Sequence, residues 1–166
     1  MIRFFKLCAI ALTIAMSMQM KALAAGEVFV TDAGAIGGYD AVAYHTESRP
    51  VPGDIAITHT WNGATWRFAS VANRDAFAKD PPRYAPRYGG YCAYGTAQGY
   101  KVSTQPDAFA IVDGVLYLNY NAAVQTMWNK DRPGYISAAE RRWDELEHLE
   151  YLSDEDSTER AAAKGE

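Results

Sequence analysis

Ile57-Thr58-His59-Thr60-Trp61-Asn62-Gly63-Ala64-Thr65-Trp66-Arg67-Phe68 alternates apolar and polar side chains on both sides of an Asn-Gly pair. Asn-Gly predicts a type I′ turn, because both central residues of that turn need a positive φ. A two-residue loop fixes the register, with Trp61 opposite Ala64, Thr60 opposite Thr65 and His59 opposite Trp66. Period two then gathers Ile57, His59, Trp61, Trp66 and Phe68 on one face. Thr58, Thr60, Thr65 and Arg67 share the other. His59 is therefore expected to point towards the core side of a hairpin.

Working outward, Phe109 to Leu118 reads as a second hairpin that turns at Asp113-Gly114. Both of its faces are apolar, so its strands are expected to be covered on both sides. Ser70 can cap a helix over Ala72 to Lys79 that stops before Pro81-Pro82, and Asn121 can cap one over Ala122 to Asn129. Ser137-Ala138-Ala139-Glu140 reads as a capping box for a helix running to about Leu152. Trp143, Leu146 and Leu149 to Tyr151 would supply its apolar face. Short strands interleaved with short helices predict the α+β class: a small compact single domain of antiparallel hairpins packed with short helices.

The totals agree with one domain. The chain has 166 residues, 49% hydrophobic and 22% charged, too apolar for disorder and too short for a second ordinary domain. Residues 1–24 have the layout of a cleaved secretory signal peptide. Arg3 and Lys6 make a basic start, Leu7 to Met18 is an apolar run too short to span a bilayer, and Ala22-Leu23-Ala24 offers small residues for cleavage. A periplasmic or otherwise exported domain over residues 25–152 is expected, followed by an acidic, disordered tail over 153–166 that lacks aromatic and branched apolar residues. Removing the leader takes away three basic residues and no acidic one, deepening the net charge from −4. Such a chain does not favour phosphate backbones, so nucleic acid is excluded as a partner. No stable membrane insertion is expected once the leader is gone.

Of the two cysteines only Cys92 would survive cleavage, so no disulfide can form within the mature chain. Cys92 lies in Pro86-Arg-Tyr-Gly-Gly-Tyr-Cys-Ala-Tyr-Gly-Thr-Ala-Gln-Gly99, where Gly89-Gly90 permits a tight turn and Tyr91 onward can start a helix that Gly99 ends. In the first turn of that helix a thiolate is favoured by orphan N–H groups and the dipole, and a thiolate binds soft metals or attacks electrophiles. Packing as a small buried apolar residue is the other reading. Tyr84, Tyr88, Tyr91, Tyr94 and Tyr100 serve either as packing or as an aromatic wall near a pocket.

His59 is a core histidine or a ligand. His45 falls in a loop or short turn, His148 is expected to be solvated, and Met127 to be core. Asp40, in Gly-Gly-Tyr-Asp, has a setting that hints at a structural or ligand role. No Cys-x-x-Cys, His-Glu-x-x-His, Gly-x-Gly-x-x-Gly or Gly-x-Ser-x-Gly occurs, so the sequence leans away from an enzyme.

Several segments together resemble the YHS domain family, and more narrowly its small exported bacterial members. They are Gly38-Tyr-Asp-Ala-Val-Ala-Tyr44, Asn62-Gly-Ala-Thr-Trp-Arg-Phe-Ala-Ser70, Asn73-Arg-Asp-Ala-Phe77, Asp80-Pro-Pro-Arg-Tyr84, Tyr88-Gly-Gly-Tyr-Cys-Ala93 and Leu116-Tyr-Leu-Asn-Tyr-Asn121. The resemblance implies a small metal-associated module, with copper foremost. The family's cysteines match Ala43, Ala69 and Asn73 here, so a site of three thiolates is not available. The resemblance leaves Cys92 as the soft ligand, with His59 and His45 as further metal ligands and copper(I) favoured over zinc. On that basis the chain would be a carrier, buffer or sensor that holds a metal ion and meets a periplasmic partner protein. The alternative is a partner- or small-ligand-binding module without metal or catalysis, with Cys92 packed in the core.

Overall fold

The structure is a computed structural model that describes residues 27–149. The expected leader (1–24) and acidic tail (153–166) lie outside the described residues. In chain order the elements are β1 (Val30–Thr31), β2 (Gly34–Ala35), α1 (Ala41–Glu47), β3 (Asp54–Trp61), β4 (Ala64–Phe68), α2 (Val71–Lys79), α3 (Pro81–Tyr84), α4 (Ala93–Gln98), β5 (Gln105–Val112), β6 (Val115–Asn119), α5 (Ala122–Trp128) and α6 (Arg132–Leu146). The described strands form three two-stranded antiparallel sheets, β1–β2, β3–β4 and β5–β6, and helices pack around them. This is an α+β domain, as expected.

The β3–β4 hairpin has the register that its turn dictates. Trp61 faces Ala64, Thr60 faces Thr65 and His59 faces Trp66, while Asn62 and Gly63 take φ of 49° and 73°. Trp66 and Phe68 are buried, His59 and Trp61 half-buried, and Thr58, Thr60 and Thr65 exposed. Phe77 of α2 covers the apolar face, with ring centroids 4.9 Å from Trp66, 5.1 Å from Phe68 and 5.8 Å from Trp61. Burying that one side chain contributes about 2–3 kcal/mol. Ile36, Val42, Tyr44, Leu116 and Leu118 complete this first core.

A second core gathers Tyr88, Ala93, Ala97, Tyr117, Trp128 and Ala139. Strand β6 joins the two: Leu116 and Leu118 face the first core and Tyr117 the second. The expected cover on both sides therefore holds for β6. It does not hold along β5, where Ile111 is exposed. Ser70 and Asn121 cap α2 and α5, accepting from Asn73 N at 3.1 Å and Val124 N at 2.9 Å.

The expectations for α6 and His45 also need correction. Helix α6 starts well before Ser137, because Asp131 caps it through Gly134 N at 3.0 Å and Pro133 occupies the first turn, where its missing N–H costs nothing. Ser137 instead lies inside the helix and accepts from Arg141. His45 is not in a loop but in α1, whose cap is Asp40.

Lys101 is buried, with Nζ donating to Glu147 O at 3.1 Å and lying 4.9 Å over the Tyr91 ring. Burial holds its pKa down at about 8, below the ordinary 10.5. Between those values the unfolded chain carries a proton that the folded chain has lost, so this group adds stability as pH rises through that window. Urea midpoints at about pH 7.5 and 9.5 should show wild type gaining on Lys101→Met at the higher pH. Parallel behaviour of the two proteins would contradict it.

Candidate functional site

Cys92 stands at the N-cap of α4, one step before the first helical turn. Its Sγ accepts from Tyr120 N at 3.3 Å and Gly95 N at 3.4 Å, and the thiol faces Asn119 Oδ1 at 3.9 Å. Its main chain is also engaged: N donates to Val102 O, and O accepts from Thr96 N and Thr96 Oγ1. The residue is 1% exposed and bridges to Leu118 of β6. It is a clasp between the Gly-rich segment and the strand that joins the two cores. The N–H groups aimed at sulfur favour a thiolate, but burial outweighs them and pushes the thiol's pKa up.

Native-state alkylation of Cys92 should therefore wait for local opening. With iodoacetamide and peptide mapping to separate Cys92 from Cys8, the native rate should be about 100-fold or more below the rate in urea. Equal rates would show an accessible thiol.

His45 is half-buried, with Nε2 3.3 Å from Tyr84 O and its ring edge-on to Tyr84. Burial keeps its pKa below the ordinary value. The His59 ring packs edge-on to Phe77 at 6.1 Å and is not among the hydrogen-bond partners of Cys92. Among the described residues no three His, Cys, Asp or Glu side chains lie close enough to share a metal ion, so Cys92, His59 and His45 do not form one donor set. Fully buried Asn119 beside Cys92 leaves only its Nδ2 without a hydrogen-bond partner, and an amide N–H₂ offers nothing to a cation. His148 is exposed and lies 3.3 Å from Glu147, and Met127 is 39% exposed.

Ala43, Ala69 and Asn73, the positions matched to cysteines, converge on the carboxylate of Asp40. Oδ1 accepts from Val42 N (2.8 Å) and Ala43 N (3.2 Å), and Oδ2 from Ala69 N (2.8 Å) and Asn73 Nδ2 (2.7 Å). Asp40 is 0% exposed. Four donors use its acceptor capacity, so the place where the resemblance points to thiolates holds a structural knot. The residues present there do not fit a metal ion.

A concave feature lies elsewhere on the described surface. A cleft of about 540 Å³ lies between the tip of the β3–β4 hairpin, the connection through residues 82–88, the β5–β6 turn and α6. Trp61 borders it and packs against Trp66 at 5.9 Å, and Trp143 borders it and packs against Tyr88, also a lining residue, and Tyr91 at 5.7 and 6.4 Å. Arg87 Nε meets Glu140 Oε1 at 2.8 Å in its wall, and the Tyr88 hydroxyl lies 3.3 Å from Ile136 O and 3.4 Å from Glu140 Oε1. Burial and the Glu140 carboxylate raise the phenol's pKa, so Tyr88 stays a neutral donor. Arg83 and Asp144 also line the cleft. A second cavity of about 110 Å³ shares Trp61, Ala85, Pro86 and Trp143, and adds Glu27 and Glu147.

Sequence reading missed this cleft because its parts come from separate segments. Glu140 was read as half of a capping box and Trp143 as apolar face. The available signal was their spacing: Glu140, Trp143 and Asp144 are three and four apart on one helical face. Comparison with known proteins adds no assignment, since no family model, curated protein or solved structure matches the chain.

Proposed function

We propose that this chain is a non-catalytic module that binds a small ligand in the cleft between Trp61 and Trp143, with Cys92 acting as a structural clasp. The observation that carries this reading is the cleft itself. It combines a ligand-sized volume, indoles packed against neighbouring aromatic rings and an Arg87–Glu140 ion pair in its wall. Thermal unfolding of the full chain against a library of small polar and cyclic compounds tests it. A ligand at a hundredfold its dissociation constant should stabilise the protein by about 2.7 kcal/mol, visible as a raised Tm. Trp143→Ala should abolish that gain. Stabilisation that survives Trp143→Ala, or a library that stabilises nothing, counts against the cleft.

The N–H groups directed at Cys92 Sγ support a second reading, copper(I) bound by that sulfur alone or with a ligand from outside the described residues. Binding would require the buried sulfur to become accessible and to lose the proton that burial favours. An anaerobic Cu(I) titration against a competing chelator decides it: tight one-to-one binding lost in Cys92→Ser supports copper, and binding unchanged in that variant removes Cys92 as the ligand.

A further inference from the structure

We infer that the ligand of this cleft is a neutral saccharide whose ring packs on Trp143 and Trp61; the inference rests on the cleft reading above. The first ground is charge. In the main cavity the guanidinium groups of Arg83 and Arg87 are matched by the carboxylates of Glu140 and Asp144. A cation meets two arginines in that wall and an anion meets two acids, so neither gains a net field.

The second ground is the mixture of hydrogen-bonding groups. Arg87 engages Glu140 through Nε, while its terminal nitrogens have no hydrogen bond to a described residue, and the side chain is 53% exposed. Asp144 makes no ion pair among the described residues. The wall thus presents donors from arginine beside acceptors from carboxylate. A vicinal diol both donates and accepts at each hydroxyl, and matches such a wall where a purely accepting or purely donating ion does not.

The third ground is shape. Trp143 packs against Tyr88 and Tyr91, and Trp61 against Trp66 and Phe77, so neighbouring rings restrain each indole where it borders the cleft. The C–H face of a pyranose ring is flat and apolar, with hydroxyls at its rim. It can cover an indole while its rim reaches the charged groups. The cleft volume of about 540 Å³ suits a short oligosaccharide.

Tryptophan fluorescence of the full chain, titrated with cellotriose, maltotriose and triacetylchitotriose, tests this. Tetramethylammonium and benzoate serve as charged controls. At least one trisaccharide should give a saturable change whose midpoint is the same at about 50 and 500 mM NaCl, as a neutral ligand requires. Affinity should fall about tenfold or more in Trp143→Ala and also in Arg87→Gln. Arg87 is a surface position, so Arg87→Gln keeps the test informative if Trp143→Ala unfolds. Three outcomes overturn the inference: no trisaccharide binds, binding is indifferent to both substitutions, or affinity falls steeply with salt. Response to tetramethylammonium or benzoate alone, lost in Trp143→Ala, overturns the saccharide and leaves the cleft reading standing.

Discussion

Asp40→Ala should lower stability by about 4 kcal/mol, a large share of the 5–15 kcal/mol of an ordinary domain. The substitution removes both the N-cap of α1 and the link from α1 to the start of α2. Val42 N, Ala43 N, Ala69 N and Asn73 Nδ2 lose their acceptor together, at a place where the carboxylate is fully buried. A cap alone accounts for about 1 kcal/mol, so the excess measures the tie between elements. Asp40→Asn should recover only part of the loss, since an amide N–H₂ turned towards Ala69 N and Asn73 Nδ2 opposes donor to donor. Urea unfolding followed by tryptophan fluorescence reads both variants. A loss below about 1 kcal/mol for Asp40→Ala would mean that the knot is replaceable by water.

Gly89→Ala should be nearly as damaging, by a different route. Gly89 has φ of +60°, and a Cβ built on it meets Glu27 O at 1.7 Å and Glu27 C at 2.7 Å. Both are backbone atoms, so no rotamer change relieves the clash. Residues 27 and 28 must move, and the bond from Phe29 N to Gly89 O at 2.9 Å goes with them. A loss above about 3 kcal/mol is expected, well beyond the 1–2 kcal/mol of the left-handed conformation itself. Gly114→Ala is the control. Its φ is +79°, but open space surrounds the new Cβ, so only the conformational cost should appear. Equal losses in the two variants would refute the close-approach argument.

Local chemistry was legible and long-range convergence was not. Asn62-Gly63 and Asp113-Gly114 specify turns through backbone preference alone; the register predicted at the first holds, and the second hairpin turns where expected. Ser70 and Asn121 act within three residues of themselves, which one segment of sequence can reveal. Helix α1 was missed because its apolar run is short, although Asp40 is a good N-cap; Asp40's decisive partners lie 29 and 33 residues away. The start of α6 was misplaced because Ser137-Ala138-Ala139-Glu140 matches a capping box, although Asp131 and Pro133 already open the helix.

The candidate site followed the same pattern. Cys92 was placed close to its true position, yet its helix-start setting pointed to a thiolate, while burial against β6 and Asn119 makes it a protonated clasp. That contact spans 27 residues. The cleft depends on Trp61, Arg87, Glu140 and Trp143 meeting across three segments, and no short pattern encodes such a meeting.

The indole ¹H–¹⁵N spectrum tests the central claim most directly, because the chain has four tryptophans in distinct settings. Trp61 and Trp143 border the cleft, Trp66 packs against Trp61, and Trp128 is buried in the second core. Titration with the compound that stabilises the protein most should move the Trp61 and Trp143 signals and leave Trp128 in place. Movement of Trp128 with Trp61 and Trp143 unchanged would put the ligand away from the cleft and contradict the account.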